Sequence, residues 1–382
     1  MVARGRFAWP TGLLGMLVIV AAVEPIVARH ACRWAHTIVL DWRATGRSVG
    51  REAPGCDVLC FGSSMSKFGV LPKVIKARTG RRAYNFALLN GPPPASYFLL
   101  KRAIDRGARP SAVVVDFDHH RLKADPRSPL YNYPWAELLR PAESYDLARA
   151  TDDAGLFGSL MVQSAVPSVR RRHEIRTAVL VRANGYAGAL DDLGGAFNST
   201  KPAFDRNRVV NCGAVVNKPS NPGQNSPPIG FERPEAWTCH PVNARYVERF
   251  FKLCEARGIA VYWLVPPVSP RQQETRDRTH AEVRYLNVVR ALAARYPNVT
   301  VVDGRSAGFP ASAYIDHVHL DRAGAVALSD ALAKVFARGP GVVAAPRWID
   351  LPRFAADSGD DGVEDLGQSE LALKARGDSV RR

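Results

Sequence analysis

Asp57 to Phe61 is a short apolar run that stops abruptly at Gly62-Ser63-Ser64-Met65, and the same arrangement recurs down the chain. Strand patterns at Asp57 to Phe61, Ala83 to Phe86 and Ser111 to Asp116 alternate with helical patterns at Pro72 to Arg78 and Ala95 to Arg106. The turns between them are short and marked by Gly or Pro. Strands that alternate with helices in this way cannot pair as hairpins, so they require a parallel sheet with crossover helices. From about Asp118 to His240 the rhythm breaks. That segment mixes helical stretches (Trp135 to Leu139, Ser144 to Arg149, Arg176 to Arg182) with a loop rich in Pro, Asn and Gly, and it reads as an insertion. The alternation then resumes with helix Asn243 to Arg257, strand Ala260 to Val265, helix Arg271 to Arg295, strand Val299 to Val302 and a last helix from Asp321 to Phe336. The expected fold class is α/β, a three-layer α/β/α sandwich around a five-stranded parallel sheet.

In such sheets ligands collect at the carboxyl ends of the strands. Ser64, Gly91, Pro266-Pro267 and the loop holding Asp316 and His319 all fall on that side. A hydroxyl after the first strand and an Asp-x-x-His run before the last helix supply a nucleophile, a base and an orienter from distant sequence. Ser64 would attack, His319 would take its proton, and Asp316 would hold the ring, while Asp321 could cap the helix behind the loop. Ser63 and Ser66 are rival hydroxyls, and His317 is a rival imidazole expected on an exposed loop. Asp116, Asp118, His119 and His120 form an acidic, imidazole-rich strand end that could bind a divalent metal. Support of the site, or lining of its acceptor side, is the preferred role for that cluster. Asn85 and Asn90 are the candidates for a side-chain oxyanion donor, Asn90 favoured because it adjoins Gly91, and the alternative for Asn85 is a strand-end residue bonded to the neighbouring turn.

These residues resemble the SGNH/GDSL hydrolase superfamily, over roughly 55–117 and 243–338. Gly62-Ser63-Ser64-Met65 stands where that family has Gly-Asp-Ser-Leu, and Asp316 and His319 match its Asp-x-x-His block. Tyr84-Asn85-Phe86-Ala87-Leu88-Leu89-Asn90-Gly91 looks like its second block. The resemblance implies a flavodoxin-like SGNH fold, a catalytic triad of Ser64, His319 and Asp316, and an oxyanion hole from Ser64, Gly91 and Asn90. The family's Gly-x-Asn-Asp segment has no counterpart in Val113 to His120, so Asn90 or a residue of Asp116 to His120 is expected to substitute. The chain looks most like the membrane-tethered branch that includes envelope O-acyltransferase accessory proteins.

The N-terminus fits that branch. Arg4 and Arg6 precede an uncharged stretch from Phe7 to Val23, so residues 1–28 read as a signal anchor, with a cleaved signal peptide as the rival. Residues 29–54 read as a stalk, 55–338 as the catalytic domain with its insertion at 118–240, and 339–382, acidic and poor in aromatics, as a disordered tail. The main domain is accordingly expected outside the cytoplasm, in the periplasm or at the cell surface, held by a single membrane pass. A formal net charge of +16 is large. It is spread along the chain, with no zinc-finger spacing and no aromatic-studded basic groove, which argues against nucleic acid as a partner. Of the six cysteines, Cys60 and Cys254 read as core residues. Cys212 and Cys239 bracket the long loop, where either a disulfide or two thiols would serve.

The function expected from these readings is a serine esterase or O-acyltransferase that passes an acyl group through Ser64, with no cofactor and no metal. Its substrate would be an acylated carbohydrate or related small ester, and its partners the membrane and the envelope polysaccharide machinery. The alternative is a non-catalytic carbohydrate-binding or scaffold protein that keeps the fold.

Overall fold

The structure, a computed structural model, describes residues 11–34, 36–172, 174–176, 201–219, 237–279, 281–337, 347–355 and 362–380. Six strands, β1 (Val58–Phe61), β2 (Ala83–Asn85), β3 (Ala112–Val115), β4 (Ala260–Val265), β5 (Val299–Asp303) and β6 (Arg347–Asp350), form one sheet in the order β2-β1-β3-β4-β5-β6. Every pairing is parallel. The chain runs from β1 outward to β2 and then crosses back to β3 on the other side of β1. The strand order therefore reverses between β1 and β3, which opens a crevice at their carboxyl ends.

Alternate strand residues feed two apolar cores, as the period of two requires. Leu59, Phe61, Val113, Val115, Val261 and Trp263 point to one face, packed by the helices Thr37–Glu52, Pro93–Asp105, Pro241–Glu255 and Ala281–Ala293. Val58, Cys60, Val114, Tyr262 and Leu264 point to the other, covered by Pro72–Thr79 and Arg322–Ala337. Strands buried on both sides carry no polar alternation, which is why β1, β3 and β4 read as continuous apolar runs.

The sheet has six strands where five were expected. The sixth comes from the segment read as a disordered tail: β6 pairs with β5 from Thr300↔Arg347 to Asp303↔Asp350. Farther on, the helix Leu366–Val380 packs on Lys201–Val210, where Arg206 grips Glu364 with bonds of 2.8 and 2.9 Å. The segment read as a stalk is instead the helix Thr37–Glu52, with Trp42 fully buried in an edge-on contact with Trp135. Cys212 and Cys239 are thiols, and Cys60 and Cys254 are buried in the core. Most of the helical stretch Arg176 to Arg182 lies outside the described residues.

The expected membrane anchor is overturned: among the described residues no helix is long and apolar enough to cross a membrane. In the helix Thr11–Trp34 the uncharged part ends at Val23, about 13 residues or ~20 Å from its start, against ~30 Å of hydrocarbon. Glu24 then accepts hydrogen bonds from the backbone N–H of Ser168, at 3.0 Å, and from its hydroxyl. Those bonds tie the helix to protein at the point where a span would continue. The single-pass topology and the extracytoplasmic location rested on that segment and fall with it.

Candidate active site

At the end of β1 the chain turns through Gly62 (φ 123°) into a short helix, Ser64–Gly69. A side chain at Gly62 would lie 2.6 Å from the Asp116 carbonyl oxygen, so glycine is required both by the backbone and by the neighbour. Ser63 caps the helix, its hydroxyl accepting the Met65 N–H at 3.2 Å. Asp116, wholly buried at the end of β3, fixes the same turn. Its two carboxylate oxygens accept the N–H groups of Ser63 and Ser66, each at 2.8 Å. This clamp spans the crevice where the strand order reverses.

The Ser63 hydroxyl and the N–H groups of Ser63 and Ser66 hold the turn, and both residues are buried, the Ser66 hydroxyl with no partner among the described residues. Ser64 is the hydroxyl left facing the cleft. Its Oγ lies 2.8 Å from Nε2 of His319, and Nδ1 of His319 lies 2.6 Å from Oδ2 of Asp316. The other Asp316 oxygen accepts the N–H groups of Val318 and His319 at 2.8 and 2.7 Å. Burial pushes the Asp316 carboxyl up, but the His319 ring and these two N–H groups outweigh it and hold the group below the usual carboxylate range. The loop is closed by a bridge between Tyr314 and Leu320 and by the Ile315 N–H bonding the His319 carbonyl at 2.9 Å. Asp321 caps the following helix through the Gly324 N–H at 2.9 Å, as its position implied. The ring of Phe68 meets His319 edge-on, with centroids 5.2 Å apart.

The second block behaves differently. The Gly91 N–H donates to the Leu88 carbonyl at 2.9 Å, closing a turn in which Asn90 takes the left-handed position (φ 58°). Gly91 is glycine because a side chain there would meet the Gly62 carbonyl oxygen at 2.4 Å, so it serves close packing of the two turns. The Ser64 N–H, ahead of the first intrahelical bond, has no acceptor among the described residues. It can face an oxyanion; the Gly91 N–H is engaged. Asn85 is engaged as a strand-end residue and not as an oxyanion donor. Its amide donates to the carbonyls of Ser66 and Val70, both at 2.8 Å, and its oxygen accepts the Ala87 N–H.

His317 is buried, where an exposed residue was expected, and its carbonyl accepts the Ser269 N–H at 2.9 Å, pinning the Pro266-Pro267 loop against the Asp316 loop. Asp118 caps the helix His119–Lys123 through the N–H groups of His120 and Arg121. Burial lowers the pKa of His119 well below the usual imidazole range and lowers that of His120. Among the described residues no group of three His, Cys, Asp or Glu is placed to hold a metal ion.

Three residues absent from the sequence reading complete the Ser64 side. Lys67, three residues past Ser64, is fully buried and pairs with the equally buried Asp41 at 2.9 Å. The other Asp41 oxygen accepts the Leu89 N–H at 2.9 Å, while the Trp42 indole donates to the Leu89 carbonyl at 2.8 Å. One helix thus holds both the helix Ser64–Gly69 and the turn before Gly91. A lysine three residues past Ser64 was the sequence signal that could have pointed to a partner acid.

No family model matches the chain, and no curated protein matches it.

Proposed function

We propose that the protein is a serine-dependent acyl-transfer enzyme, an esterase or O-acyltransferase, and that its sheet and helices belong to the three-layer α/β/α, flavodoxin-like arrangement of SGNH hydrolases. The observation that carries this reading is the unbroken chain Ser64 Oγ, His319 Nε2, His319 Nδ1, Asp316 Oδ2, with contacts of 2.8 and 2.6 Å. In the mechanism, neutral His319 removes the Ser64 proton as Oγ attacks the acyl carbon, and Asp316 stabilises the imidazolium. The tetrahedral oxyanion faces the Ser64 N–H. Collapse expels the alcohol, which takes the proton from His319 and leaves acyl-Ser64. Water, or the hydroxyl of a carbohydrate acceptor, then attacks the acyl carbon, His319 accepts its proton, and Ser64 Oγ departs protonated. An acylated carbohydrate or related small ester is the proposed substrate.

One observation favours a second reading, a carbohydrate-binding or scaffold protein that keeps the fold: the Gly91 N–H is engaged by Leu88, which leaves the oxyanion fewer donors. A fluorophosphonate probe separates the two. Under the enzymatic reading the folded protein is labelled at Ser64, and Ser64→Ala abolishes both labelling and hydrolysis of short acyl esters. Labelling that persists in Ser64→Ala, or a folded sample that never reacts, defeats it.

A further inference from the structure

Cys56 precedes β1 and Ser64 follows it, so the two mark opposite ends of the strand, on the order of 20 Å apart at ~3.3 Å per residue. Beside Cys56, outside the edge strand β2, lies a cavity of about 400 Å³. Four separate segments build it, and each brings positive charge: Arg51, Lys73 with Lys76, Arg82, and Arg208. Glu52 is the one acid in the lining, and Arg51 bonds it at 2.6 Å.

A basic face on a chain of net charge +16 is ordinarily just solvated surface. Two features separate this one. Arg208 is 7% exposed, so a guanidinium has been taken out of water to form the wall. Its one described acceptor, Asp205 at 2.8 Å, is itself 65% exposed and therefore a weakly held, solvent-screened partner. Lys76 and Arg82, meanwhile, have no acceptor for their charged groups among the described residues. The charges converge on one space. Burial pushes the Cys212 thiol up while Lys73, Lys76 and Arg82 pull it down, and Arg208 acts in the same sense on the Tyr84 hydroxyl. Like charges gathered around a concave space repel one another unless an anion lies among them.

We propose that this cavity is a binding site for a small ligand bearing phosphoryl groups, with Arg82, Lys76 and Arg208 as its principal contacts. Arginine forks match phosphate oxygens in pairs, and lysine adds a point charge, so a phosphoryl group satisfies both kinds of donor. Tyr84, stacked on Phe86 with ring centroids 4.6 Å apart, supplies a rigid flank for the rest of the ligand. The site is independent of the acyl-transfer reading, because none of its residues touches Ser64, His319 or Asp316.

The test is calorimetric titration of the full chain with pyrophosphate at constant ionic strength. One saturable site is expected, weakened at least tenfold in a Lys76→Gln, Arg82→Gln double variant. Both side chains are exposed, so the unfolding midpoint without ligand should not fall. A control pair, Lys252→Gln with Arg257→Gln, removes the same charge from another exposed surface and should bind as the wild type does. Equal weakening by both pairs would reduce the effect to bulk charge and overturn the site, as would a titration that never saturates. Phosphatidylcholine vesicles with and without phosphatidic acid identify the source of the phosphoryl group. Retention of only the anionic vesicles, lost in the double variant, assigns a lipid headgroup; pyrophosphate binding without vesicle retention assigns a soluble ligand.

Discussion

The two walls of the cleft are built on opposite principles. On the Ser64 side, position depends on buried charge acting over long sequence distances: Asp116 clamps Ser63 and Ser66, and Asp41 reaches both Lys67 and Leu89. On the His319 side it depends on neighbours, since Asp316, Val318 and His319 bond one another within four residues and the Tyr314–Leu320 bridge closes the loop. Buried charges give a fixed geometry but are expensive to disturb, because removing one partner strands the other in a low-dielectric interior. Short-range bonds are individually modest, and losing one leaves groups that water can reach. Under the proposed function, damage to the His319 side should therefore strike chemistry and spare the fold, while damage to the Ser64 side should strike both.

The largest effect is expected where that contrast is cleanest. His319→Gln should lower ester turnover by roughly four to six orders of magnitude, and Asp316→Asn by about four, since the ring loses its correct tautomer. Neither should move the urea midpoint far. A large loss of stability in either variant would break the comparison, because it would make the loop part of the structural core. Next in size, Lys67→Met should destabilise by about 3–5 kcal/mol, the usual consequence of leaving a buried partner charge uncompensated. A Lys67→Met, Asp41→Asn double variant should recover most of that, as no charge remains stranded. If the two single losses simply add in the double variant, the pair is not acting as a unit and the charge-based account of this wall fails.

The same contrast explains what could be read in the sequence. The His319 side was legible because its signal is local: Asp316, His319 and the capping Asp321 stand within six residues. β1 to β5 were legible as apolar runs with Gly or Pro turns. β6 was not, because Arg347-Trp348-Ile349-Asp350 has charged ends and becomes a strand only by pairing with β5. The helix Thr37–Glu52 was missed for a related reason. Its buried side interleaves Val39, Trp42 and Val49 with Asp41, Thr45 and Ser48, so no apolar stripe marks it. Asp116 was noticed but not understood. Its partners lie some fifty residues away, and no short-range pattern encodes a clamp between two strands. Gly91 shows the converse, a motif glycine whose reason turned out to be the 2.4 Å approach of the Gly62 carbonyl.

The smallest predicted effect is the most discriminating, because the two walls carry carboxylates with opposite pH dependence. Burial, reinforced by Asp118, raises Asp116 to about 6 from the ordinary 3.8, against the pull of the Ser63 and Ser66 hydrogen bonds. Between about pH 4 and 6 the folded state then holds more protons at this site than the unfolded chain, so Asp116's contribution to stability falls as pH rises through that window and is level above it. Asp316 is depressed. Its contribution is present above the unfolded value of 3.8 and is lost as pH falls through the folded pKa below it. Urea midpoints followed across pH should therefore show the wild type losing ground to Asp116→Asn between pH 4 and 6.5, and losing ground to Asp316→Asn only below about pH 4. The activity of Asp116→Asn should also be reduced, by about a hundredfold. An amide offers one accepting oxygen where two N–H groups need acceptors, and a loosened turn misplaces Ser64 by enough to matter. If both variants shift in the same direction over the same pH range, the two walls share one electrostatic environment and the distinction between them dissolves.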